Sequence, residues 1–155
     1  MNFIRKIFTT DKRWRKGVFM VVYRKAKNGQ VKYLVQKRKL HWKGYEFPKG
    51  GLESGESKLE GVRRELAEET GLPIIKLKNH HRSGRYPYGK ELKDRPGIIG
   101  QTWSLYSAEV GKGKVKLDKL EHSSSEWLSF GKAFDKLTWD TQKDCLRIVD
   151  SWLRK

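Results

Sequence analysis

The sequence contains a single cysteine, Cys145, among its 155 residues. One thiol cannot form a disulfide within the chain, and it cannot supply a zinc site built from cysteines. No apolar run approaches the roughly 18 residues of a membrane-spanning helix, and residues 1–10 lack the apolar core of a secretory signal. We therefore expect a soluble, cytoplasmic protein in which Cys145 packs in the core.

Acidic residues are scarce at the start of the chain. Residues 1–48 contain fourteen Lys and Arg but only two acids, Asp11 and Glu46, so this part carries +12 of the total net charge of +17. Stretches such as RKIFTTDKRWRK and QKRKLHWKG combine cations with aromatic rings, as contacts with polyphosphates or RNA would. Charge runs are also common on plain solvated surfaces, so these stretches leave both interpretations open.

The length is that of one domain, and no internal repeat is present. Runs rich in β-branched residues at 17–24 and 31–38, separated by a short Lys-Asn-Gly-Gln turn, predict a β-hairpin. A polar segment with Gly and Pro predicts a loop over 82–96, and helical periodicity predicts a last helix over about 139–154. Further strands are predicted at 74–80, 97–110 and 126–130. Strands that flank and separate two principal helices fit an α/β fold with a mixed sheet.

Six carboxylates lie between Gly50 and Leu72. Glu65, Glu68 and Glu69 have the spacing i, i+3, i+4, so at about 100° per residue they share one face of a helix. Like charges at this spacing weaken a helix unless a cation neutralises them. Oxygen ligands suit a hard ion, so the segment predicts a site for Mg²⁺, with Mn²⁺ as the alternative.

The same helix carries signals for its ends and its buried face. Ser57 is placed to cap its start, and Gly71 is placed where a left-handed residue ends a helix. Leu59, Val62 and Leu66 form an apolar stripe next to the acidic face. We expect this stripe to pack on the core while the carboxylates remain accessible.

The fixed positions from Gly50 to Leu72 have the spacing G-x5-E-x7-R-E-L-x-E-E-x-G-L, which resembles the signature of the Nudix hydrolases without a departure. The resemblance implies an α/β/α sandwich with a mixed sheet over residues 16–155, preceded by a basic arm or edge element at 1–15. It also implies a metal-dependent enzyme that cleaves a phosphoanhydride bond in a nucleoside diphosphate linked to another group.

The resemblance also assigns roles within this segment. It implies that the metal is held by the Gly50 carbonyl and the side chains of Glu65, Glu68 and Glu69. Arg64 and Glu56 would be auxiliary groups that orient these ligands. Glu69 and Glu65 are also candidates for the general base.

Three shorter segments resemble one branch of that family. Glu121 opens the segment EHSSSEWL, which resembles E-H-x-x-x-x-W-L of the asymmetric diadenosine tetraphosphate hydrolases and implies that Glu121 is a further metal ligand or the general base. Trp139, together with Tyr86 or Tyr88, resembles the aromatic residues that stack on the substrate base. Ile99-Gly100-Gln101, followed by Trp103, resembles a strand of the RNA 5′-pyrophosphohydrolases.

Basic residues near these segments are candidates for binding the phosphates: Lys49, Lys93 and Arg95. The leading interpretation is a hydrolase of dinucleoside polyphosphates such as diadenosine tetraphosphate, which would yield ATP and AMP. The alternatives are an RNA 5′-pyrophosphohydrolase acting on triphosphorylated RNA, a (d)NTP pyrophosphatase, and a non-catalytic RNA-binding module. We expect a monomer, with a dimer left open, and no membrane partner.

Overall fold

The structure is a computed structural model that describes residues 13–155. The first twelve residues, which make up most of the predicted N-terminal arm, lie outside the described residues. The first described strand begins at Trp14, two residues before the predicted start of the domain. The domain boundary itself stays a prediction.

The predicted hairpin is present and consists of β1 (Trp14–Lys25) and β2 (Val31–Arg38). The remaining strands are β3 (Gly44–Glu46), β4 (Lys49–Gly51), β5 (Ile74–Pro87), β6 (Gly100–Val110) and β7 (His122–Leu128). The main path of the sheet has the order β3-β2-β1-β6-β5, with β4 paired to β1 and β7 paired to β2. Only the β1–β6 pair is parallel among these, so the sheet is mixed.

Helices cover both faces of this sheet: α1 (Lys58–Glu69), α2 (Phe130–Lys136) and α3 (Asp140–Leu153). Alternate residues of β1 point to opposite faces, and both rows are buried because both faces are covered. One row, with Met20 as an example, packs with Val62 and Leu66 of α1. The other row, with Phe19 as an example, packs with Cys145 of α3. The predicted α/β/α sandwich is therefore confirmed, and so is the buried thiol.

The ends of α1 follow the sequence signals. The Ser57 hydroxyl accepts a hydrogen bond from the Glu60 amide at 3.1 Å, and the Glu60 side chain accepts one from the Ser57 amide at 3.2 Å. Gly71 follows the helix with φ at 66°, the left-handed conformation that glycine adopts at low cost. These caps fix the position of the helix that carries the clustered carboxylates.

Several boundaries differ from those predicted. The segment 82–96 is not all loop, because β5 continues to Pro87 by pairing with β6 down to Gly100. Its polar, Gly-containing sequence is compatible with a strand because β5 is an edge strand. The helix α2 was not predicted, and β7 begins four residues before the predicted strand. Leu59 is 47% exposed, so the packed stripe of α1 starts only at Val62.

Among the helices of residues 13–155, none combines the length and the hydropathy that a membrane span requires.

Candidate active site

Arg64 holds the acidic segment together. Its Nε and Nη2 donate to the two oxygens of Glu56 at 2.7 and 2.8 Å, and Nη2 also donates to the Gly51 carbonyl at 2.8 Å. Its Nη1 donates to Glu65 at 2.9 Å and to Glu68 at 3.3 Å. The Arg64 guanidinium lowers the pKa of Glu56 to about 2. A planar guanidinium can make these contacts at once, whereas an ammonium could not.

Glu65 and Glu69 lie on the inner side of α1. Glu65 is packed against β4 so closely that a Cβ atom at Gly50 would overlap its carboxyl group, which explains the glycine at that position. Glu69 is 3% exposed, one turn further along the helix. The structure therefore brings both side chains and the Gly50 backbone to one place, as predicted, while Glu68 is more exposed and contacts Arg64.

Glu121 reaches the same place from the loop before β7. Its carbonyl accepts hydrogen bonds from the Lys39 and Leu40 amides at 2.9 and 3.3 Å, which fixes the loop against the end of β2. Its carboxylate lies 3.7 Å from Arg38 Nη1. Glu121 and Glu65 line one small cavity together with the Gly50 backbone. The predicted proximity of Glu121 to the acidic helix is thus present in the structure.

These carboxylates strongly affect one another. Burial raises the pKa of Glu65 to about 7, against the opposing effect of the Arg64 guanidinium. Burial and then the Glu121 carboxylate raise the pKa of Glu69. Both shifts arise because several negative charges share a partly desolvated site. A bound cation would remove this cost of ionising the carboxylates. The charged form of the cluster therefore requires a bound cation.

The cluster fits a divalent metal in its chemistry as well. Ligand atoms of Glu69, Glu121 and His122 all lie within 4.8 Å of one another. Glu69 Oε2 is buried and has no hydrogen-bond partner among the described residues, although buried polar atoms are rarely left without one. An oxygen-rich set of this kind suits Mg²⁺ or Mn²⁺.

A second buried network lies behind the cluster and is centred on Glu46. The Glu46 carboxylate is fully buried and contacts Arg38 Nη1 at 3.1 Å, Lys49 Nζ at 3.3 Å and His122 Nε2 at 2.8 Å. Its pKa falls to about 2, because Lys49, His122 and Arg38 outweigh the effect of burial. The network holds Lys49 and Arg38 beside the carboxylates, and no pattern in the sequence pointed to it.

An aromatic cleft of about 360 Å³ adjoins the carboxylate cluster. Tyr86 and Tyr88 form one wall with ring centroids 6.1 Å apart, and Trp42 and Trp139 form another with centroids 5.2 Å apart. Lys49 Nζ donates to the Tyr86 hydroxyl at 3.3 Å, and Arg95 Nη1 donates to the Tyr88 hydroxyl at 2.8 Å. Trp139 is 48% exposed, so part of its ring is accessible for stacking.

Most of the substrate-binding residues that the sequence predicts lie in this cleft. Lys49, Tyr86, Tyr88, Arg95 and Trp139 all line it. Lys93 does not, since it is exposed and lines neither cavity.

The structure adds residues that sequence reasoning missed: Arg15, Arg38, His41, Trp42, Glu46, Gln101 and His122. Arg38, His41 and Trp42 belong to the basic and aromatic stretch QKRKLHWKG, so the available signal was general. Gln101 belongs to the short Ile99-Gly100-Gln101 match, and it accepts hydrogen bonds from Arg15 and Tyr88 at 3.4 and 3.2 Å. Nothing in the sequence pointed to Glu46. Its partner His122 is distant in sequence, and its basic partners Arg38 and Lys49 follow no recognisable pattern.

The family model of the NUDIX domain matches residues 13–147. The chain therefore belongs to the NUDIX domain family, and the family prediction from the sequence is confirmed. Among curated proteins it is 46% identical over 112 residues to the RNA pyrophosphohydrolase of Thioalkalivibrio sulfidiphilus, a match covering 61% of this chain and 65% of that protein. It is 33% identical over 97 residues to the RNA pyrophosphohydrolase of Legionella pneumophila, covering 56% and 55%. The chain thus spans between about half and two thirds of the length of these relatives.

Solved structures show the same fold. The Caenorhabditis elegans Ap4A hydrolase, solved as a binary complex, superposes with a TM-score of 0.73 at 22% identity, covering 90% of this chain and 98% of that one. The Escherichia coli dihydroneopterin triphosphate pyrophosphohydrolase superposes with a TM-score of 0.72 at 17% identity, covering 88% and 98%. At these identities the likeness establishes the architecture alone.

Proposed function

We propose that the protein is a divalent-metal-dependent pyrophosphohydrolase whose substrate is a dinucleoside polyphosphate such as diadenosine tetraphosphate, cleaved to ATP and AMP. One observation carries the proposal: Arg38, Lys49 and Arg95 line both the carboxylate cavity and the aromatic cleft. A nucleoside base in the cleft would place its phosphates over these cations. The next phosphates along the chain would then meet the carboxylates.

The aromatic cleft suits a nucleoside in size and in lining. A cavity of about 360 Å³ lies within the usual range for small-molecule sites. Trp139 and the Tyr86–Tyr88 pair present ring faces or edges from two separate parts of the chain, the residue before α3 and the end of β5. Stacking on such rings stabilises a bound base by about 1–3 kcal/mol.

The carboxylates and Arg64 have separable roles in the proposed reaction. A divalent ion, when bound by the Gly50 carbonyl and by Glu65, Glu68 and Glu69, supplies charge neutralisation for the phosphates and a lower pKa for the attacking water. The Arg64 contacts keep the ligand oxygens of the helix in fixed positions. Lys49, Arg38 and Arg95 bind and orient the phosphate chain.

Glu121 is our choice for the general base. Its side chain is 28% exposed, against 4% for Glu69 and 10% for Glu65, so a water molecule can reach it from the cavity. A general base must lie within hydrogen-bond reach of the water that it deprotonates. Glu121 also comes from a loop outside α1, so it can remove a proton while the helix carboxylates hold the ion.

A second substrate, the 5′-triphosphate end of RNA, is favoured by the curated relatives, which are RNA pyrophosphohydrolases at 33% and 46% identity. The same cations would bind the triphosphate, and the 5′ nucleoside would occupy the aromatic cleft. The net charge of +17 also favours a long polyanion.

A product assay with Mg²⁺ separates these functions. Diadenosine tetraphosphate, 5′-triphosphate RNA and dNTPs are offered side by side, and products are separated by anion exchange. ATP plus AMP from the dinucleotide supports the first proposal. Pyrophosphate released from RNA, without turnover of the dinucleotide, supports the second, and no product from any substrate would contradict both.

A variant assay tests the proposed site. Glu68→Gln/Glu69→Gln should abolish turnover while the fold is retained, and Glu126→Gln, which alters an exposed carboxylate outside the site, should leave turnover unchanged. Substantial activity in the folded double variant would contradict the proposed metal site.

A further inference from the structure

A third cavity, of about 440 Å³, lies away from the carboxylates, between the middle of β5 and the second half of α3. We call its lining the β5–α3 surface, and it is formed by residues 78–82, 147–148, 151–152 and 155. The proposed reaction uses none of these residues. The surface is open and shallow, unlike a small-molecule pocket.

This surface is cationic and carries no acidic residue among the described residues that line it. Lys78 and Arg82 come from β5, Arg147 comes from α3 and Lys155 follows α3, all with exposed side chains. Arg147 Nη1 donates to Asp144 at 3.0 Å in an exposed pair whose side chains are 59% and 66% accessible, and the guanidinium lies 4.6 Å from the centroid of the Phe134 ring. Exposed pairs of this kind contribute little, so Asp144 offsets the charge of Arg147 only weakly.

A tryptophan lies among these charges. The Trp152 ring has Lys76 Nζ and Lys78 Nζ at 5.3 and 5.9 Å from its centroid, and the His80 ring meets it edge-on with centroids 5.2 Å apart. An irregularity in the β5–β6 register between Asn79 and Ser83 displaces the strand here. His81 in this bulge has φ at 53°, a conformation that non-glycine residues rarely adopt.

The β5–α3 surface and the aromatic cleft lie along the same two elements, β5 and α3. Tyr86 on β5 and Gln142 on α3 lie at the cleft, and Arg82 and Arg147 lie at this surface. Arg82 and Tyr86 are four strand residues apart, or about 13 Å. A chain whose 5′ end occupied the cleft could therefore reach this surface within a few nucleotides.

We propose that the β5–α3 surface binds single-stranded RNA, with the cations on the phosphates and Trp152 as a stacking platform. Cations interleaved with an aromatic ring are the usual means of binding single strands without sequence preference. An acidic peptide would use the charges but would have no use for the ring. The inference rests on the second proposed substrate, RNA, only in assigning the cleft to the 5′ end, and the surface itself is independent of catalysis.

The test is fluorescence anisotropy with a labelled single-stranded RNA that has a 5′-hydroxyl and therefore no 5′-triphosphate for the catalytic cleft. Lys78→Gln/Arg147→Gln removes one charge from each wall of the surface. Lys27→Gln/Lys112→Gln removes the same net charge from exposed positions elsewhere and serves as the matched control. Trp152→Leu removes the ring and keeps the charge, and thermal melts show whether each variant is folded.

The Lys78→Gln/Arg147→Gln variant should lose about 1.4 units from the slope of log affinity against log salt, at roughly 0.7 per lost phosphate contact. Near 0.1 M salt that change corresponds to a loss of affinity on the order of tenfold. Trp152→Leu should weaken binding about equally at all salt concentrations. The control pair should show less than half of the slope change.

Three results would overturn the proposal. The first is no RNA binding by the wild type, and the second is an equal loss of RNA affinity in the control pair. The third is displacement of RNA by polyglutamate of equal charge, together with an RNA affinity that Trp152→Leu leaves unchanged. Hydrolysis of diadenosine tetraphosphate by the Lys78→Gln/Arg147→Gln variant should equal that of the wild type. A wild type that binds RNA but hydrolyses nothing would contradict the proposed function and leave this inference standing, and the reverse pattern would contradict only this inference.

Discussion

Replacing Glu46 with glutamine tests the buried network behind the carboxylates. The change keeps the shape of the side chain but removes a charge that is fully buried and contacts Arg38, Lys49 and His122. Arg38 and Lys49 then remain as cations that are only 4% and 14% exposed, without their carboxylate. Removing one partner of a buried ion pair costs about 3–5 kcal/mol, because the other charge is left uncompensated.

A loss of this size is a large part of a typical stability of about 5–15 kcal/mol. With a urea slope of about 2 kcal/mol per molar, the unfolding midpoint of Glu46→Gln should fall by about 2 M. The measurement is urea unfolding followed by tryptophan fluorescence in metal-free buffer. Glu126→Gln is the matched control, because Glu126 pairs with Lys136 at 3.2 Å on the surface, with side chains 45% and 34% exposed. Its loss should be at most about 1 kcal/mol.

Equal midpoints for the two variants would refute the reasoning, since burial would then make no difference to the value of the charge. If Glu46→Gln is too unstable to purify, the double variant Arg38→Met/Glu46→Gln supplies the second measurement. It should recover part of the lost stability, because one of the uncompensated cations is gone. A double variant less stable than Glu46→Gln alone would contradict the network.

Three further predictions concern the metal, the helix cap and pH. Glu69→Gln should raise the melting temperature of the metal-free protein, because it removes one of several carboxylates that repel each other. The same variant should lose the rise in melting temperature that Mg²⁺ causes in the wild type. If Mg²⁺ still raised the melting temperature of the variant, Glu69 would be excluded as a ligand. Ser57→Ala should cost about 1 kcal/mol in urea unfolding by removing the capping box, and the exposed Ser54→Ala should cost nothing measurable. Burial lowers the pKa of His80 to about 4 from its usual 6.5, so the unfolded state binds the proton first and stability should fall as pH decreases from about 6.5 to about 4. Because the ring is partly exposed, we expect this loss to be roughly 1–2 kcal/mol, and a pH profile of urea midpoints in which His80→Gln shows the same slope would rule it out.

The predictions that succeeded depend on short-range geometry. The clustering of Glu65 and Glu69 follows from helical periodicity, and the ends of α1 follow from Ser57 and Gly71. The alternating burial of β1 follows from the period of a strand between two covered faces. These relations hold whatever the rest of the chain does.

The predictions that failed depend on partners far away in sequence. The segment 82–96 looked like a loop, but β6 supplies hydrogen bonds that extend β5 through Pro87. Leu59 fits the apolar stripe of α1, but the core begins one turn later, at Val62. A local pattern records which residues are apolar, and it does not record where the neighbouring element begins.

The sequence by itself determined the family and the acidic helix with its clustered carboxylates, because these depend on residue type and on spacing within a single element. Only the tertiary structure decided that Glu46 holds Arg38 and Lys49 beside that helix, and that these cations also line an aromatic cleft. The physical reason is that each of these contacts joins separate strands, loops or helices. Their meeting is fixed by how the sheet pairs and how its two faces pack.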